Sequence, residues 1–349
     1  MSIAAVDLFC GVGGLTFGIQ QSGIDVVAGY DIEESCRYAY ETNNKSVFIN
    51  KDIKDISSDE IKSLYPEKTD IRVLIGCAPC QPFSSYSFRY KNNKNTISKM
   101  DLLDYFGQLV ENVKPEIVSM ENVPQLAKEK VFLDFINTLE LNGYFVDWKI
   151  VYAPDYGVPQ NRKRLVLLAS RLSDIKFIDP LYNKANYITV RDTISSLTPI
   201  NSGETDKEDQ LHKSVKLSNV NLERIKQSVP GGTWKDWEER LILACHKKNS
   251  GKTYQSVYGR MEWDKPAPTI TTKFYGYGNG RFGHPEQNRA ISYREGALLQ
   301  TFPKDYSFIP PETTISTREL GVQIGNAVPV KLGEAIGISI KNHLMINDL

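Results

Sequence analysis

The fold of this 349-residue chain is decided by one stretch near its start, Ala4-Ala5-Val6-Asp7-Leu8-Phe9-Cys10-Gly11-Val12-Gly13-Gly14. Its apolar first half, Ala4–Phe9, is typical of a buried strand, and the glycines that follow predict a tight turn. Apolar residues at helical spacing over Leu15–Ser22 then predict a helix. Glycines at such a turn let the backbone pass close to a ligand, and the helix N-terminus offers free amides to an anionic group. The start of the chain therefore predicts a strand, a ligand-binding turn and a helix.

The same alternation of strand and helix continues to about residue 170. Further strand-like runs are Asp25–Tyr30, Val73–Gly76, Glu116–Met120 and Leu165–Ala169, and further helical stretches are Glu34–Asn43, Leu102–Val113 and Val131–Asn142. This alternation predicts an α/β fold with a doubly wound, mostly parallel sheet. We assign residues 1–180 to that domain and residues 185–290, where periodicity is weak, to a smaller irregular domain. Residues 291–349 are expected to return to the first domain with a C-terminal helix.

Composition limits the classes of function. The 42 basic and 42 acidic residues cancel, but residues 84–100 contain four basic side chains and no acidic one, so a neutral chain can still present a cationic surface. The five scattered cysteines predict free thiols and complete no zinc pattern with the four histidines, so we expect no metal. No apolar run has the roughly 20 residues of a membrane span. The N-terminus lacks the basic start of a signal peptide, which predicts a cytoplasmic protein without a membrane partner.

A carboxylate follows the glycine turn at a spacing typical of nucleotide-binding sites. Asp31 ends the second strand, where a carboxylate would meet ribose hydroxyls. Thr16 breaks the G-x-G-x-x-G spacing, which counts against a dinucleotide and favours a smaller ligand such as S-adenosylmethionine. Asp52, in Asn50-Lys51-Asp52-Ile53, lies between the runs Asp25–Tyr30 and Val73–Gly76, where a loop after a further strand of such a sheet could reach the adenine amino group.

A cysteine and a carboxylate follow two further strands. Cys80, which lies between Pro79 and Pro82, and Glu121 would both face the ligand, because the crevice of an open α/β sheet lies beyond the carboxyl ends of its strands. A thiol nucleophile beside a carboxylate suits covalent catalysis with proton transfer. Cys77 and Cys80 could instead be a redox pair or half of a zinc site. We favour the interpretation in which only Cys80 takes part in catalysis and Cys77 is a residue of the core.

With these residues in place, the chain resembles the C5-cytosine DNA methyltransferase family over nearly its whole length. Six short motifs carry the resemblance, in the family's order: Asp7-Leu8-Phe9-Cys10-Gly11-Val12-Gly13-Gly14, Pro79-Cys80-Gln81, Glu121-Asn122-Val123, Gln160-Asn161-Arg162-Lys163-Arg164, Arg294-Glu295 with Leu299-Gln300-Thr301-Phe302-Pro303, and Gln323-Ile324-Gly325-Asn326-Ala327-Val328-Pro329. The resemblance implies a catalytic domain of the S-adenosylmethionine-dependent methyltransferase type and a smaller DNA-recognition domain.

The resemblance also implies a reaction. The target cytosine would be flipped out of double-stranded DNA, because its reacting atoms cannot be reached in the stack. Cys80 would add to C6, and Glu121 would hold and protonate N3. Arg164 would donate to the base O2, and Arg162 would support the loop and Glu121. S-adenosylmethionine would supply the methyl group for C5 and leave as S-adenosylhomocysteine, without a metal.

Further residues receive roles from the same resemblance. The implied cofactor-binding residues are Asp7, Phe9, Gly11, Gly13, Gly14, Leu15, Asp31, Ile32, Asp52, Ile53, Pro79, Asn326 and Ala327. The implied DNA-binding residues are Ser84, Arg89, Arg260, Thr271, Tyr275 and Arg281. Of these, Arg260 and Arg281 could read guanine edges or could contact phosphate alone.

Two other functions stay open on the sequence. One is a tRNA cytosine-C5 methyltransferase built on the same catalytic domain, against which the missing Cys-Phe-Thr tripeptide counts. The other is a catalytically silent DNA-binding homologue, against which four intact residues count: Cys80, Glu121, Arg162 and Arg164. By family habit, the chain would be a bacterial restriction-modification enzyme in the cytoplasm, associated with the nucleoid and functionally paired with a restriction endonuclease of the same target.

Overall fold

The computed structural model describes residues 1–79, 102–249, 251, 253–314 and 316–346. Three predicted site residues, Cys80, Ser84 and Arg89, lie outside the described residues. The strands are β1 (Ile3–Leu8), β2 (Asp25–Asp31), β3 (Val47–Asn50), β4 (Ile71–Gly76), β5 (Ile117–Asn122), β6 (Phe145–Tyr152), β7 (Gln160–Asn161), β8 (Lys163–Ser170) and β9 (Ala267–Pro268). The α-helices are α1 (Gly14–Gln21), α2 (Arg37–Asn43), α3 (Ser58–Leu64), α4 (Leu102–Val113), α5 (Lys130–Leu141), α6 (Val190–Ile194), α7 (Asn219–Gln227), α8 (Ala244–Lys247), α9 (Tyr293–Leu299), α10 (Thr317–Asn326) and α11 (Val330–Ile346).

The first compact unit comprises Met1–Tyr156, Lys163–Leu181 and Ala327–Leu349. Its seven-stranded sheet has the order β3-β2-β1-β4-β5-β8-β6. The pairs from β3 to β5 are parallel, whereas β8 runs antiparallel to both β5 and β6. Strands β1, β4 and β5 are buried almost throughout, as expected for a parallel sheet covered by helices on both faces. The predicted α/β fold with a mostly parallel sheet is therefore confirmed.

Helices α1 and α11 pack against each other through glycines, although they lie at opposite ends of the sequence. A Cβ atom on Gly18 would lie 2.2 Å from the carbonyl oxygen of Val330, and one on Gly333 would lie 3.0 Å from that of Leu15. Only glycine permits so close an approach of two backbones. The C-terminal helix therefore supports the helix that follows the glycine turn. None of the described helices combines the length and the apolarity that a membrane span requires.

The second unit comprises Gly157–Arg162 and Tyr182–Asn326. It is mostly irregular, and an aromatic cluster that includes Trp234, Trp237 and Tyr277 forms part of its core. A fully buried ion pair joins Arg289 Nη1 to Glu295 Oε2 at 2.7 Å. Burial opposes the charge of Glu295, but hydrogen bonds and charge from Arg289 outweigh it and lower the pKa of Glu295 to about 2.

The domain boundary expected at residue 291 differs from this division. Helix α9 packs on the second unit, because a Cβ atom on Gly296 would lie 2.1 Å from the ring of Phe274. The ion pair between Glu295 and Arg289 also ties α9 to the second unit. Residues 291–326 therefore belong with the second unit, and the chain returns to the first only at Ala327.

Candidate active site and cofactor-binding turn

The carboxyl ends of β4 and β5 bring a thiol and a carboxylate together. Gly76 pairs with Met120 in the parallel register, so the next residues along the two strands, Cys77 and Glu121, are neighbours. The Cys77 thiol donates to Glu121 Oε2 at an Sγ···Oε2 distance of 2.8 Å. The Asn122 amide donates to the carbonyl oxygen of Ala78 at 3.0 Å, which fastens the two strand ends to each other.

Glu121 is buried, and an arginine from β8 compensates its charge. Only 2% of its side chain is exposed, against 13% for Arg164, and Arg164 Nε lies 2.9 Å from Glu121 Oε1. A buried carboxylate needs such a partner because its desolvation is costly. This contact is an ion pair without the alignment of a hydrogen bond, so within the described part of the chain Oε1 accepts no hydrogen bond. Oε1 therefore keeps accepting capacity for another group.

The turn after β1 has an unusual backbone. Gly11 (φ 50°), Gly13 (φ 87°) and also Phe9 (φ 62°) adopt left-handed conformations, which a residue with a side chain adopts at a cost. Asp31 Oδ2 accepts a hydrogen bond from the Gly11 amide at 2.8 Å. Burial raises the pKa of Asp31, although backbone hydrogen bonds from Glu33 and Gly11 oppose the shift. The end of β2 therefore holds the glycine turn in place.

Asp7 lies on β1, just before the turn, and is completely buried. Its Oδ2 accepts a hydrogen bond from the Thr16 hydroxyl at 2.7 Å, and the same hydroxyl lies 3.2 Å from that of Tyr40. Burial raises the pKa of Asp7 to about 8; the hydrogen bond from Thr16 opposes this shift, and the charge of Asp31 adds to it. Asp7 thus connects β1 to α1 beneath the turn. Leu15, in the first turn of α1, is also buried.

Apolar and polar groups beyond Asp31 suit a flat ligand with a polar edge. Ile32 is 61% exposed, although it adjoins the buried end of β2. Asn50 donates to the carbonyl oxygens of Asp31 (3.1 Å) and Ile32 (2.9 Å), which fixes this segment. Asp52 accepts a hydrogen bond from the Lys54 amide at 3.1 Å and so caps a short 3-10 turn, within which Ile53 is buried.

No group of three or more His, Cys, Asp or Glu side chains is placed to hold a metal ion within the described residues. The first unit's site includes two carboxylates, Asp31 and Glu121, each of which is held by neighbours on an adjacent strand or turn. Such an arrangement suits hydrogen bonding to an organic ligand and proton transfer.

A model of the C-5 cytosine-specific DNA methylases matches residues 3–342. The chain belongs to this family. It is accordingly an enzyme, a DNA (cytosine-5-)-methyltransferase. It is 52% identical over 344 residues to the Type II methylase M.HgiDII of Herpetosiphon aurantiacus, covering 98% of this chain and 96% of that relative. It is also 30% identical to the Type II methyltransferase M1.BsuMI of Bacillus subtilis, covering 97% and 80%.

Solved structures share the fold of this methyltransferase. A prophage-encoded E. coli protein assigned as a DNA modification methyltransferase matches with a TM-score of 0.76 and 24% identity, covering 99% of this chain and all of that one. The S. pombe Dnmt2 methyltransferase matches with a TM-score of 0.65 and 16% identity, covering 98% and 99%. At these identities the likeness concerns the fold alone.

In the second unit of the methyltransferase, Arg162 is buried and donates to the carbonyl oxygen of Ile270 at 3.1 Å. Gln160 accepts a hydrogen bond from the Ile270 amide at 3.0 Å and donates to the carbonyl oxygen of Leu299 at 2.8 Å. These contacts join β7 to the segment around β9. Arg162 thus ties β7 to the segment around Ile270, and the residue that contacts Glu121 in the first unit is Arg164.

The expectation that Arg260 reads a base edge does not fit its position. Its side chain is buried, and its guanidinium group donates to the carbonyl oxygens of Ile225, Ser228, His284 and Gln287, at 2.7 to 3.2 Å. A guanidinium group with this many backbone acceptors stabilises the fold and is not available to donate to a base edge. Burial also lowers the pKa of Arg260.

The other predicted DNA-binding residues of the second unit are more accessible. Thr271 is exposed. Tyr275 is half-buried and lies against Tyr293, with 5.2 Å between ring centroids. Arg281 is half-buried and donates to the carbonyl oxygen of Gly232 at 2.7 Å. Asn326, an exposed residue, ends α10.

Two residues with contacts in the site were missed by the sequence analysis. Cys77 was interpreted as core filler, but it is half-buried and hydrogen-bonded to Glu121. Its position one residue beyond a strand, like that of Glu121 near the end of β5, was the available signal. Asn50, which holds the segment after Asp31, ends β3. Polar residues at the carboxyl ends of parallel strands are candidates for site residues in general.

Proposed function

We propose that this enzyme transfers a methyl group from S-adenosylmethionine to C5 of a flipped-out cytosine in a specific duplex DNA sequence, through a covalent adduct between Cys80 and C6. The observation that supports it most directly is the buried Glu121 carboxylate, held by Cys77 and Arg164 at the end of β5. Cys80 follows Cys77 by three residues. A carboxyl group fixed here suits recognition of the N3 edge of a cytosine.

The first unit has residues that fit S-adenosylmethionine. Gly11 has a left-handed backbone (φ 50°), which a residue with a side chain adopts at a cost, and in this conformation its amide donates to the Asp31 carboxylate at 2.8 Å. We assign Asp31 to the ribose hydroxyls, the exposed Ile32 to the adenine face, and Asp52 with Ile53 to the adenine edge. The remaining cofactor contacts are assigned to Asp7, Phe9, Gly13, Gly14, Leu15, Pro79, Asn326 and Ala327. When bound, the cofactor supplies an electrophilic methyl group on a sulfonium sulfur.

The chain's own residues would act on the base. The Cys80 thiolate forms a bond to C6, and the electron pair of the C5–C6 double bond moves towards C5. Glu121 takes up a proton from solvent on Oε1 as the base binds and donates it to N3, which stabilises the charge that develops on the ring; Oε1 then accepts a hydrogen bond from the N3–H group. Arg164 compensates the charge of Glu121 through Nε and offers its remaining donors to the base O2. After C5 has gained its methyl group, the C5 proton passes to solvent and the N3 proton returns to Glu121. The C5–C6 double bond re-forms as the bond from C6 to sulfur breaks, which releases Cys80 as the thiolate.

The DNA contacts are assigned to both units. Ser84 and Arg89 lie in the basic stretch 84–100, and Thr271, Tyr275 and Arg281 lie in the second unit; contacts with phosphate would position the duplex, and contacts with base edges would specify the sequence. We further propose that the enzyme is the modification half of a Type II restriction-modification system, paired with an endonuclease of the same target. It would act in the bacterial cytoplasm, on DNA of the nucleoid.

The test is methyl transfer from labelled S-adenosylmethionine to duplex DNA and, in parallel, to tRNA, with the modified base identified by mass spectrometry. We expect 5-methylcytosine in DNA, confined to one sequence context when the product is sequenced. A label in tRNA alone would refute the assigned substrate and leave the chemistry at Glu121 in place. If neither nucleic acid is labelled while the cofactor binds, the catalytically silent homologue replaces the proposal.

A further inference from the structure

The two oxygens of the Glu121 carboxylate have different surroundings. Oε2 accepts a hydrogen bond from the Cys77 thiol, with an Sγ···Oε2 distance of 2.8 Å. Oε1 lies 2.9 Å from Arg164 Nε but accepts no aligned hydrogen bond from the described residues, although it is buried. A buried acceptor that keeps a lone pair open is costly unless a ligand uses it. The structure therefore holds Oε2 in place through Cys77 and leaves Oε1 available to a ligand.

Two contacts on different oxygens fix the plane of a carboxyl group. An ion pair with Arg164 alone neutralises the charge but leaves the group free to turn about its Cγ–Cδ bond, because terminal torsions of this kind are broad. A donor on the second oxygen removes this freedom. Cys77 is held in turn by the sheet, since its backbone amide continues the pairing of β4 with β1 through the carbonyl oxygen of Leu8 at 3.3 Å.

We propose that Cys77 is a positioning residue for the methyl-transfer reaction. Its thiol holds Oε2 and so aims Oε1 of Glu121 at N3 of the target cytosine. A thiol is suited to this position because it is small and uncharged and has a single weak donor, so that it orients Glu121 without competing with Arg164 for its charge. This role rests on the proposed function, in which Glu121 contacts N3.

Three variants separate the hydrogen bond from packing. Cys77→Ala removes the donor, and Cys77→Ser restores a donor of similar size. Cys36→Ala removes the same atoms from a buried cysteine elsewhere in the first unit. The single-turnover rate of methyl transfer to duplex DNA is measured at saturating cofactor, together with cofactor affinity and the free energy of unfolding. We expect Cys77→Ala to slow the reaction about 10- to 100-fold, as for loss of a hydrogen bond to a charged group, with cofactor affinity unchanged.

The control variants show whether the lower rate of Cys77→Ala results from the lost hydrogen bond or from altered packing. Cys77→Ser is expected to regain most of the rate, and Cys36→Ala to react at the rate of the unaltered chain. A rate for Cys77→Ala equal to that of the unaltered chain overturns the proposal. So does a Cys77→Ser rate as low as that of Cys77→Ala, because the side chain would then act through its packing.

An infrared measurement tests the contact without a Cys77 variant and without activity. The S–H stretching band of a thiol that donates to a carboxylate shifts when the acceptor becomes a neutral amide. The difference spectrum between the unaltered chain and Glu121→Gln should therefore contain one shifted S–H band. Its absence refutes the contact itself. Failure of the unaltered chain to methylate DNA, with the shifted band present, refutes the proposed function instead, and with it any role of Cys77 in catalysis.

Discussion

The Asp31 carboxylate and the Gly11 amide are joined by a hydrogen bond of 2.8 Å, which ties the end of β2 to the turn after β1. The other oxygen of Asp31 accepts from the Glu33 amide at 2.9 Å. One carboxylate thus orients the glycine turn and the segment that carries the exposed Ile32. A carboxylate has about four acceptor positions, so these two contacts leave capacity for the hydroxyls of a ribose.

Asp31→Ala is expected to weaken S-adenosylmethionine binding about tenfold or more, because the ribose loses a charged acceptor and the glycine turn loses its tie. Asp31→Asn is the matched control: its amide oxygen can still accept from Gly11 but carries no charge, so affinity should fall less. Isothermal titration calorimetry measures both. Unchanged affinity in Asp31→Ala would remove this residue from the ribose site.

Arg164→Met should destabilise the first unit, because it leaves a buried carboxylate without its ion-pair partner. Glu121 is 2% exposed, and loss of one partner of a buried pair costs about 3–5 kcal/mol. Combining Arg164→Met with Glu121→Gln should recover most of this loss in the free energy of unfolding by urea. If the two losses simply add, the ion pair does not account for the stability of this site.

Cys80→Ser is expected to abolish methyl transfer and to leave S-adenosylmethionine affinity nearly unchanged, because serine is a far weaker nucleophile of almost the same size. Duplex DNA containing 5-fluorocytosine should trap the unaltered enzyme covalently, since C5 then has no proton to lose, and should not trap the variant. Cys245→Ala, which removes an exposed thiol of the second unit, serves as the control and should be trapped. Turnover of Cys80→Ser at the rate of the unaltered enzyme would exclude a mechanism with a covalent adduct at Cys80.

The sheet and the strand-end residues could be predicted because their signals are local. The apolar runs of β1, β4 and β5 are continuous, and a buried parallel strand needs nothing else. Strand β6, which the sequence analysis did not predict, is an edge strand whose Phe145, Trp148 and Ile150 are exposed, between residues that include charged ones. An edge strand of this kind shows neither a continuous apolar run nor a clean alternation.

The contacts between individual side chains could not be predicted, because they depend on the register of the strands and on backbone groups that are distant in sequence. The Cys77–Glu121 contact follows from the pairing of Gly76 with Met120, which no sequence pattern indicates. Arg260 was expected to contact DNA because an arginine side chain can read guanine edges. Its burial among backbone carbonyl groups that lie 24 to 35 residues away in sequence could not be read from its neighbours.

Gly18→Ala is expected to destabilise the first unit by about 1–3 kcal/mol, the usual cost of overpacking. Its Cβ atom would lie 2.2 Å from the Val330 carbonyl oxygen, and backbone cannot yield as a side chain can. Gly107→Ala is the matched control, because this glycine is also buried within a helix, α4, and its Cβ atom would lie 3.4 Å from the ring of Phe135. There, alanine should be neutral or stabilise by up to about 1 kcal/mol. Urea unfolding should give opposite signs, and equal losses would contradict the close contact of α1 with α11.

Asp7 should make stability depend on pH. Burial raises the pKa of Asp7 to about 8 in the folded chain, against about 3.9 when unfolded. Between these values the folded chain holds one more proton than the unfolded chain, so this contribution to stability is full below about pH 4 and is lost as pH rises towards 8. Asp7→Asn keeps an oxygen for Thr16 and does not titrate. The difference in unfolding free energy, unaltered chain minus Asp7→Asn, should therefore decrease from pH 5 to pH 8, because these pH values lie between the unfolded and the folded pKa of Asp7. A constant difference would mean that Asp7 is charged throughout this range.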